Sequence, residues 1–158
     1  HLGGLPPEVD LKAEVALGNV VRALSAADGP DGRPLVRAAH DLSNGGLVQS
    51  LVDSALRFGI GGTFDVASAA RRDCVGDHEM LLSESQARAF VAVPETALKA
   101  VFAAAEAEGV DAVRIGTTGG DMLAISGVDL LAAEGEGCGW IASIDELREL
   151  SETGRKHF

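Results

Sequence analysis

An α+β fold, a mixed β-sheet covered by helices, is predicted by three features of this 158-residue sequence. Segments with apolar residues at helical spacing interleave with short apolar runs, without the strict strand-helix-strand rhythm of an all-parallel sheet. Glycine stands at 20 positions, about 13% against a usual share of roughly 7%, and most of the excess sits in pairs at element junctions. Such turns need positive φ or a close backbone approach. The length suits one domain, residues 1–158, because a chain of about 150 residues buries roughly 68–70% of its unfolded surface. No internal repeat is visible.

Asp10 is placed to cap a first helix over residues 11–27, in which Leu17, Val20, Val21 and Leu24 recur at i, i+3, i+4 and i+7. Asp28-Gly29-Pro30-Asp31-Gly32 ends it. Residues 35–39 read as a strand interrupted by Arg37, and Leu47, Val48, Leu51, Val52, Ala55 and Leu56 as the apolar stripe of a second helix ending at Gly59. After Gly61-Gly62 comes a strand through Thr63, Phe64 and Val66, then a polar loop or short frayed helix over 68–79. Met80-Leu81-Leu82, a tight polar turn and the alternation from Ala87 to Val93 read as strand, turn, strand. Pro94 suits the first position of a third helix with Ala97, Leu98, Val101, Phe102 and Ala105 inward and Gly109 past its end. Residues 113–115 and 122–125 flank Thr117-Thr118-Gly119-Gly120 as a hairpin. Ser143-Ile144-Asp145-Glu146 has the form of a capping box, starting a short helix with Leu147 and Leu150 inward that frays from Ser151.

Thirteen Lys and Arg against 24 Asp and Glu give a formal net charge of −11, the wrong sign for displacing counterions from a nucleic acid. The apolar runs fall well short of the ~18 residues of a membrane span, so a soluble protein is expected. The chain opens His1-Leu2-Gly3-Gly4 with neither an initiator Met nor a signal core, and reads as a fragment of something longer. Cys74 and Cys138 form neither a disulfide framework nor a zinc pattern and read as reduced thiols in a cytosolic protein. No lysine follows glycine, which removes a phosphate-binding P-loop, and Gly135, Gly137 and Gly139 lead into Trp140, which removes the dinucleotide fingerprint. Trp140 reads as a partly buried anchor for the terminal helix, and Arg71-Arg72 as surface charge. His40-Asp41 and Asp77-His78-Glu79 hold metal-ligand residue types but lack metal-site spacing.

Two polar segments carry the remaining chemistry. In His40-Asp41-Leu42-Ser43-Asn44-Gly45-Gly46, oxygens of Asp41, Ser43 and Asn44 could hold a cation-bound phosphate, and the amides of Gly45 and Gly46 an anion. The simpler alternative, in which Ser43 or Asn44 caps the helix and the glycines permit a turn, leads on spacing alone. In Ser83-Glu84-Ser85-Gln86-Ala87-Arg88, a carboxylate, hydroxyls and a carboxamide could orient an amide, a ribose or a metal-bound phosphate. Its simpler alternative, again leading, is a solvated turn with Arg88 paired to Glu84.

The two segments together, the second beginning 36 residues after Leu47, resemble the C-terminal domain of the aminoimidazole ribonucleotide synthetase superfamily. Within it the resemblance is to the formylglycinamide ribonucleotide amidotransferases, where an H-D-x-S-D-G-G-L loop and an L-F-S-E-S-x-x-R turn stand in this order. Asn44 stands where that family has Asp and Leu82 where it has Phe. The missing carboxylate weakens the case for Mg²⁺ at this loop, and the metal ligands stay open. His1-Leu2-Gly3-Gly4-Leu5-Pro6-Pro7 looks like the junction into the family's last domain, so the resemblance covers nearly the whole chain.

The resemblance implies that fold and an ATP-dependent, magnesium-using ligase step of cytoplasmic purine biosynthesis, in which formylglycinamide ribonucleotide, glutamine-derived ammonia and ATP give the amidine, ADP and phosphate. It implies a nucleotide or substrate cleft lined by Asp41, Ser43, Asn44, Gly45, Gly46, Glu84, Ser85, Gln86 and Arg88, with no catalytic residue in this part of the chain. Implied partners are the other domains of the parent synthetase, a glutaminase subunit and a small accessory subunit. The ending at Phe158 favours the short form of the parent. The alternative is a non-catalytic scaffold or interaction domain of the same superfamily, or of a sister ATP-dependent enzyme.

Overall fold

The computed structural model describes residues 9–73, 75–127 and 139–155. Both cysteines, the opening junction and the glycine-rich 135–137 stretch lie outside the described residues. The described chain has six helices and six strands: α1 Leu11–Ser25, β1 Ala38–Asp41, α2 Gly46–Phe58, β2 Gly62–Asp65, α3 Ala67–Asp73, α4 Asp77–Leu82, β3 Ala89–Ala92, α5 Leu98–Ala107, β4 Gly116–Thr118, β5 Met122–Ser126, β6 Gly139–Ser143 and α6 Ile144–Arg155. The expected α+β class holds. Its strands form two sheets, a two-stranded antiparallel pair β1-β3 and a four-stranded mixed sheet ordered β4-β2-β5-β6.

The chain divides into two compact units, one drawn from positions up to Asn44 and from Glu84–Ala112, the other from Gly45–Ser83 and from Val113 onward. In the first, Asp10 caps α1 as the sequence predicts, accepting from the amides of Lys12 at 2.9 Å and Ala13 at 3.1 Å. Val20 and Leu24 of α1 are buried with Leu35 and Ala97, and Val36, Val93, Val101 and Ala104 pack against this cluster. Leu35 is thus a core residue ahead of the strand, and the strand expected at 35–39 lies instead at 38–41. Pairing with β3 decides its position, with Ala38 opposite Ala92 and Asp41 opposite Ala89. Pro94 is not the first residue of the third helix; a 3₁₀ turn over Glu95–Ala97 intervenes before α5. Phe102 is exposed, because the inward stripe of α5 is Val101, Ala104 and Ala105. Gly109, at φ 69°, lets the Val110 amide turn back to the Ala105 carbonyl at 2.8 Å, ending α5 as predicted.

In the second unit, the three-residue run Met80-Leu81-Leu82 is the end of α4 and not a strand. So short an apolar run has no period to separate helix from strand; burial of Met80 and Leu81 beside α2, with Leu82 exposed, settles it. Residues 83–88 therefore link a helix to a strand and form no hairpin turn. The expected hairpin over 113–125 is also absent. β4 starts at Gly116, and β2 lies between β4 and β5, antiparallel to the first and parallel to the second. Glycine permits this arrangement: a Cβ on Gly116 would stand 2.1 Å from the Thr63 carbonyl oxygen, and one on Gly61 2.1 Å from that of Met122.

β6, which the sequence reading leaves unassigned, pairs antiparallel with β5 and places the half-buried Trp140 opposite Ile125. The predicted capping box forms: the Ser143 hydroxyl accepts from the Glu146 amide at 3.2 Å, and the Glu146 carboxylate accepts from the Ser143 amide at 2.7 Å. Leu147 is buried but Leu150 is exposed, and α6 continues through Arg155 where fraying was expected from Ser151. No helix among the described residues is long and apolar enough to cross a membrane.

Candidate functional site

The β1-β3 register joins the ends of the two polar segments. Asp41, the last residue of β1, lies opposite Ala89, the first of β3, and the Leu42 amide donates to the Arg88 carbonyl at 3.2 Å. Ser43 and Asn44 leave this end of the ladder as Glu84, Ser85 and Gln86 approach it. All five are exposed, whereas Leu42 is buried and Arg88 half-buried. A separation of more than 40 positions in sequence is thereby closed within one compact unit.

At the tip, the Ser43 hydroxyl donates to the Asp41 carboxylate. That bond holds the Asp41 carboxyl below its ordinary value; burial opposes it, and its own backbone amide and His40 add smaller help. Asp41 is therefore an anion at neutral pH with its side chain 66% exposed. His40 Nδ1 lies 2.6 Å from the Asp41 carbonyl oxygen and 3.3 Å from its carboxylate. The ring of His40 stacks on its cross-strand partner Phe90, centroids 6.0 Å apart. His40 thus lies against the end of its own strand and against β3, contacts its sequence neighbourhood alone did not reveal.

Neither predicted cap is used at α2: its N-cap is Gly45, which has no side chain to cap with, and Ser43 turns to Asp41. The helix begins with two left-handed glycines, Gly45 at φ 76° and Gly46 at φ 68°. Gly46 is buried, and a Cβ there would stand 2.7 Å from the Leu81 carbonyl oxygen, so a close approach of backbones explains it. Ser50, fully buried, donates to the Gly46 carbonyl at 2.8 Å.

No cluster of three or more His, Cys, Asp or Glu able to hold a metal occurs among the described residues. In the Asp77-His78-Glu79 run, the Glu79 carboxylate accepts from the Gly76 amide at 3.1 Å, which is a helix-start role. Around Asp41 the donors are hard oxygens, one carboxylate with a hydroxyl and a carboxamide nearby in sequence. Mg²⁺ prefers such oxygens, but this set alone is too small to hold it and would need phosphate or water oxygens besides.

Residues 1–126 match the family model described as AIR synthase related protein, C-terminal domain. The chain belongs to that family. The AIR synthase related C-terminal domain is thus the frame in which both polar segments sit. Among similar proteins, the phosphoribosylformylglycinamidine synthase subunit PurL of Nocardioides sp. is 43% identical over 127 residues, covering 80% of this chain and 15% of that protein. The subunit of the same name from Renibacterium salmoninarum is 40% identical over 152 residues, covering 96% of this chain and 18% of its own length. The chain thus spans about a sixth of these relatives. A solved structure of PurLQS from Thermotoga maritima superimposes with a TM-score of 0.68 at 17% identity, over 88% of this chain and 22% of that one. T. maritima PurL complexed with ATP gives 0.56 at 16% identity, over 72% and 19%. At these identities the two structures establish the shared fold.

Proposed function

We propose that this chain is the last domain, residues 1–158, of a longer phosphoribosylformylglycinamidine synthase. In that reaction ATP phosphorylates the amide oxygen of formylglycinamide ribonucleotide, and ammonia then displaces phosphate to leave the amidine, ADP and phosphate. The observation that carries the reading is the 40% identity to a PurL subunit across 96% of the chain. The β1-β3 ladder supports it by setting the Asp41-Ser43-Asn44 tip beside the 84–88 linker.

In this reading Asp41, Ser43, Asn44, Glu84, Ser85, Gln86 and Arg88 contact a nucleotide, with Gly45 and Gly46 left to the packing of α2. Asp41 would offer a carboxylate oxygen to Mg²⁺, which when bound would supply charge neutralisation to the phosphates, its other ligands staying open. Asp41 is kept anionic by Ser43, and Arg88 carries the positive charge that suits a phosphate oxygen. None of these residues is assigned to the reacting atoms. The working partners would be the rest of the synthetase, a glutaminase subunit and a small accessory subunit, in the cytoplasm; the superimposed PurLQS complex favours this assembly.

A second reading, in which the site in this part of the enzyme is structural, is favoured by Asn44 in place of a second carboxylate. The full-length protein assayed with formylglycinamide ribonucleotide, ATP and an ammonium salt should form amidine, ADP and phosphate in equal amounts. ADP formation indifferent to formylglycinamide ribonucleotide would overturn the assignment. Tightly held, non-exchanging nucleotide in an active enzyme would select the structural variant.

A further inference from the structure

One contact reaches the 84–88 linker from α1, an element outside the β1-β3 pair. Glu14 of α1 accepts a hydrogen bond from the Ala87 amide at 2.8 Å, across 73 positions of sequence. Ala87 has φ 56° and is the one non-glycine residue with positive φ among the described residues. Alanine disfavours that region and persists there only when its surroundings hold it. Immediately before it lie the exposed Glu84, Ser85 and Gln86, and immediately after it Arg88, whose carbonyl starts the pairing with β1. The turn at Ala87 thus decides where three polar side chains stand relative to the ladder.

We propose that Glu14 is a positioning residue, its carboxylate pinning the Ala87 amide so that Glu84, Ser85 and Gln86 are presented to a nucleotide at the tip of β1-β3. The proposal rests on the functional reading above. A competing role exists, since Glu14 lies in the first turn of α1, where any carboxylate is favoured by the helix dipole. Substitution separates the two. Glu14→Gln loses the charge but keeps a carbonyl oxygen to accept from Ala87, whereas Glu14→Ala loses both.

The test uses the full-length synthetase with Glu14→Gln, Glu14→Ala, Glu14→Ala/Ala87→Gly and Asp41→Ala. Amide exchange of the peptide containing Ala87 is followed without nucleotide, ADP affinity by calorimetry, and thermal unfolding confirms folding. Glu14→Ala should speed exchange over 84–88 and weaken ADP about tenfold, the scale of a lost charge-assisted hydrogen bond. Glu14→Gln should stay within about twofold of the native protein. Ala87→Gly should restore part of the affinity, because glycine adopts this φ without the steric penalty. The proposal is overturned if Glu14→Gln behaves like Glu14→Ala, or if exchange is unchanged in Glu14→Ala. Should Asp41→Ala weaken ADP while Glu14→Ala does not, the positioning role falls and the functional reading stands. Should neither substitution weaken ADP although exchange rises, both fall.

Discussion

The pair β1-β3 and the sheet β4-β2-β5-β6 are built from strands of similar length, yet they present opposite surfaces. No residue of β1 or β3 is buried, and β1 alternates half-buried with exposed positions. In β5, by contrast, Leu123 and Ile125 are each 1% exposed, and glycines bring the neighbouring strands into contact that no Cβ would permit. A two-stranded ladder has little stability of its own. Here it is anchored at one end, where Val36 and Val93 pack on the α1-α5 cluster, and it carries the polar segments at the other. The polar end therefore tolerates substitution at small cost in stability, while the four-stranded sheet does not.

Leu123→Ala should break the four-stranded sheet most severely, costing about 3–4 kcal/mol by denaturant unfolding, whereas Phe90→Ala in the pair should cost about 1 kcal/mol or less. Comparable losses at the two positions would refute the contrast. Ser143→Ala, which removes the cap where β6 meets α6, should cost about 1 kcal/mol. The same box has a pH signature: the Ser143 amide and hydroxyl hold the Glu146 carboxyl below its ordinary value. Its contribution is thus present above the unfolded pKa and is lost as pH falls through the lowered folded value.

Asp41 at the tip of the pair follows the same sign, since Ser43 lowers its folded pKa. Ser43→Ala should raise the Asp41 titration midpoint toward the ordinary carboxylate value, read by carbon-detected NMR, with little change in unfolding midpoint. An unmoved midpoint would mean that Ser43 does not set the charge there. The smallest effect belongs to the exposed Arg148 and Asp145 pair on α6, 2.9 Å apart. Arg148→Ala should change stability by less than about 0.5 kcal/mol.

Local chemistry was legible in the sequence wherever it acts within a few residues. The Asp10 cap, the Ser143–Glu146 box, the stop at Gly109 and the stripe of α2 all follow from side chains and their near neighbours. Strand pairing was not, because it is settled between distant segments. Nothing near Thr117–Gly120 says that β2 will lie between β4 and β5, and nothing in Met80-Leu81-Leu82 says that its partner is a helix. The same division runs through the site. Asp41, Ser43 and the 83–88 residues stand out as polar segments between apolar ones, but the register that joins them belongs to the fold. Gly46 was legible as a turn residue and not as the point where α2 meets the backbone of α4. Glu14 left no signal at all, since its role exists only through the Ala87 amide.

The most direct test of the account is ADP binding to the full-length synthetase carrying Asp41→Ala or Glu84→Ala, one substitution from each polar segment. If the β1-β3 ladder assembles one nucleotide-contacting site, each should weaken binding about tenfold, and the double variant should lose less than the product of the two. Unchanged affinity in both would contradict the assembled site and leave the two segments as ordinary connections of a shared fold.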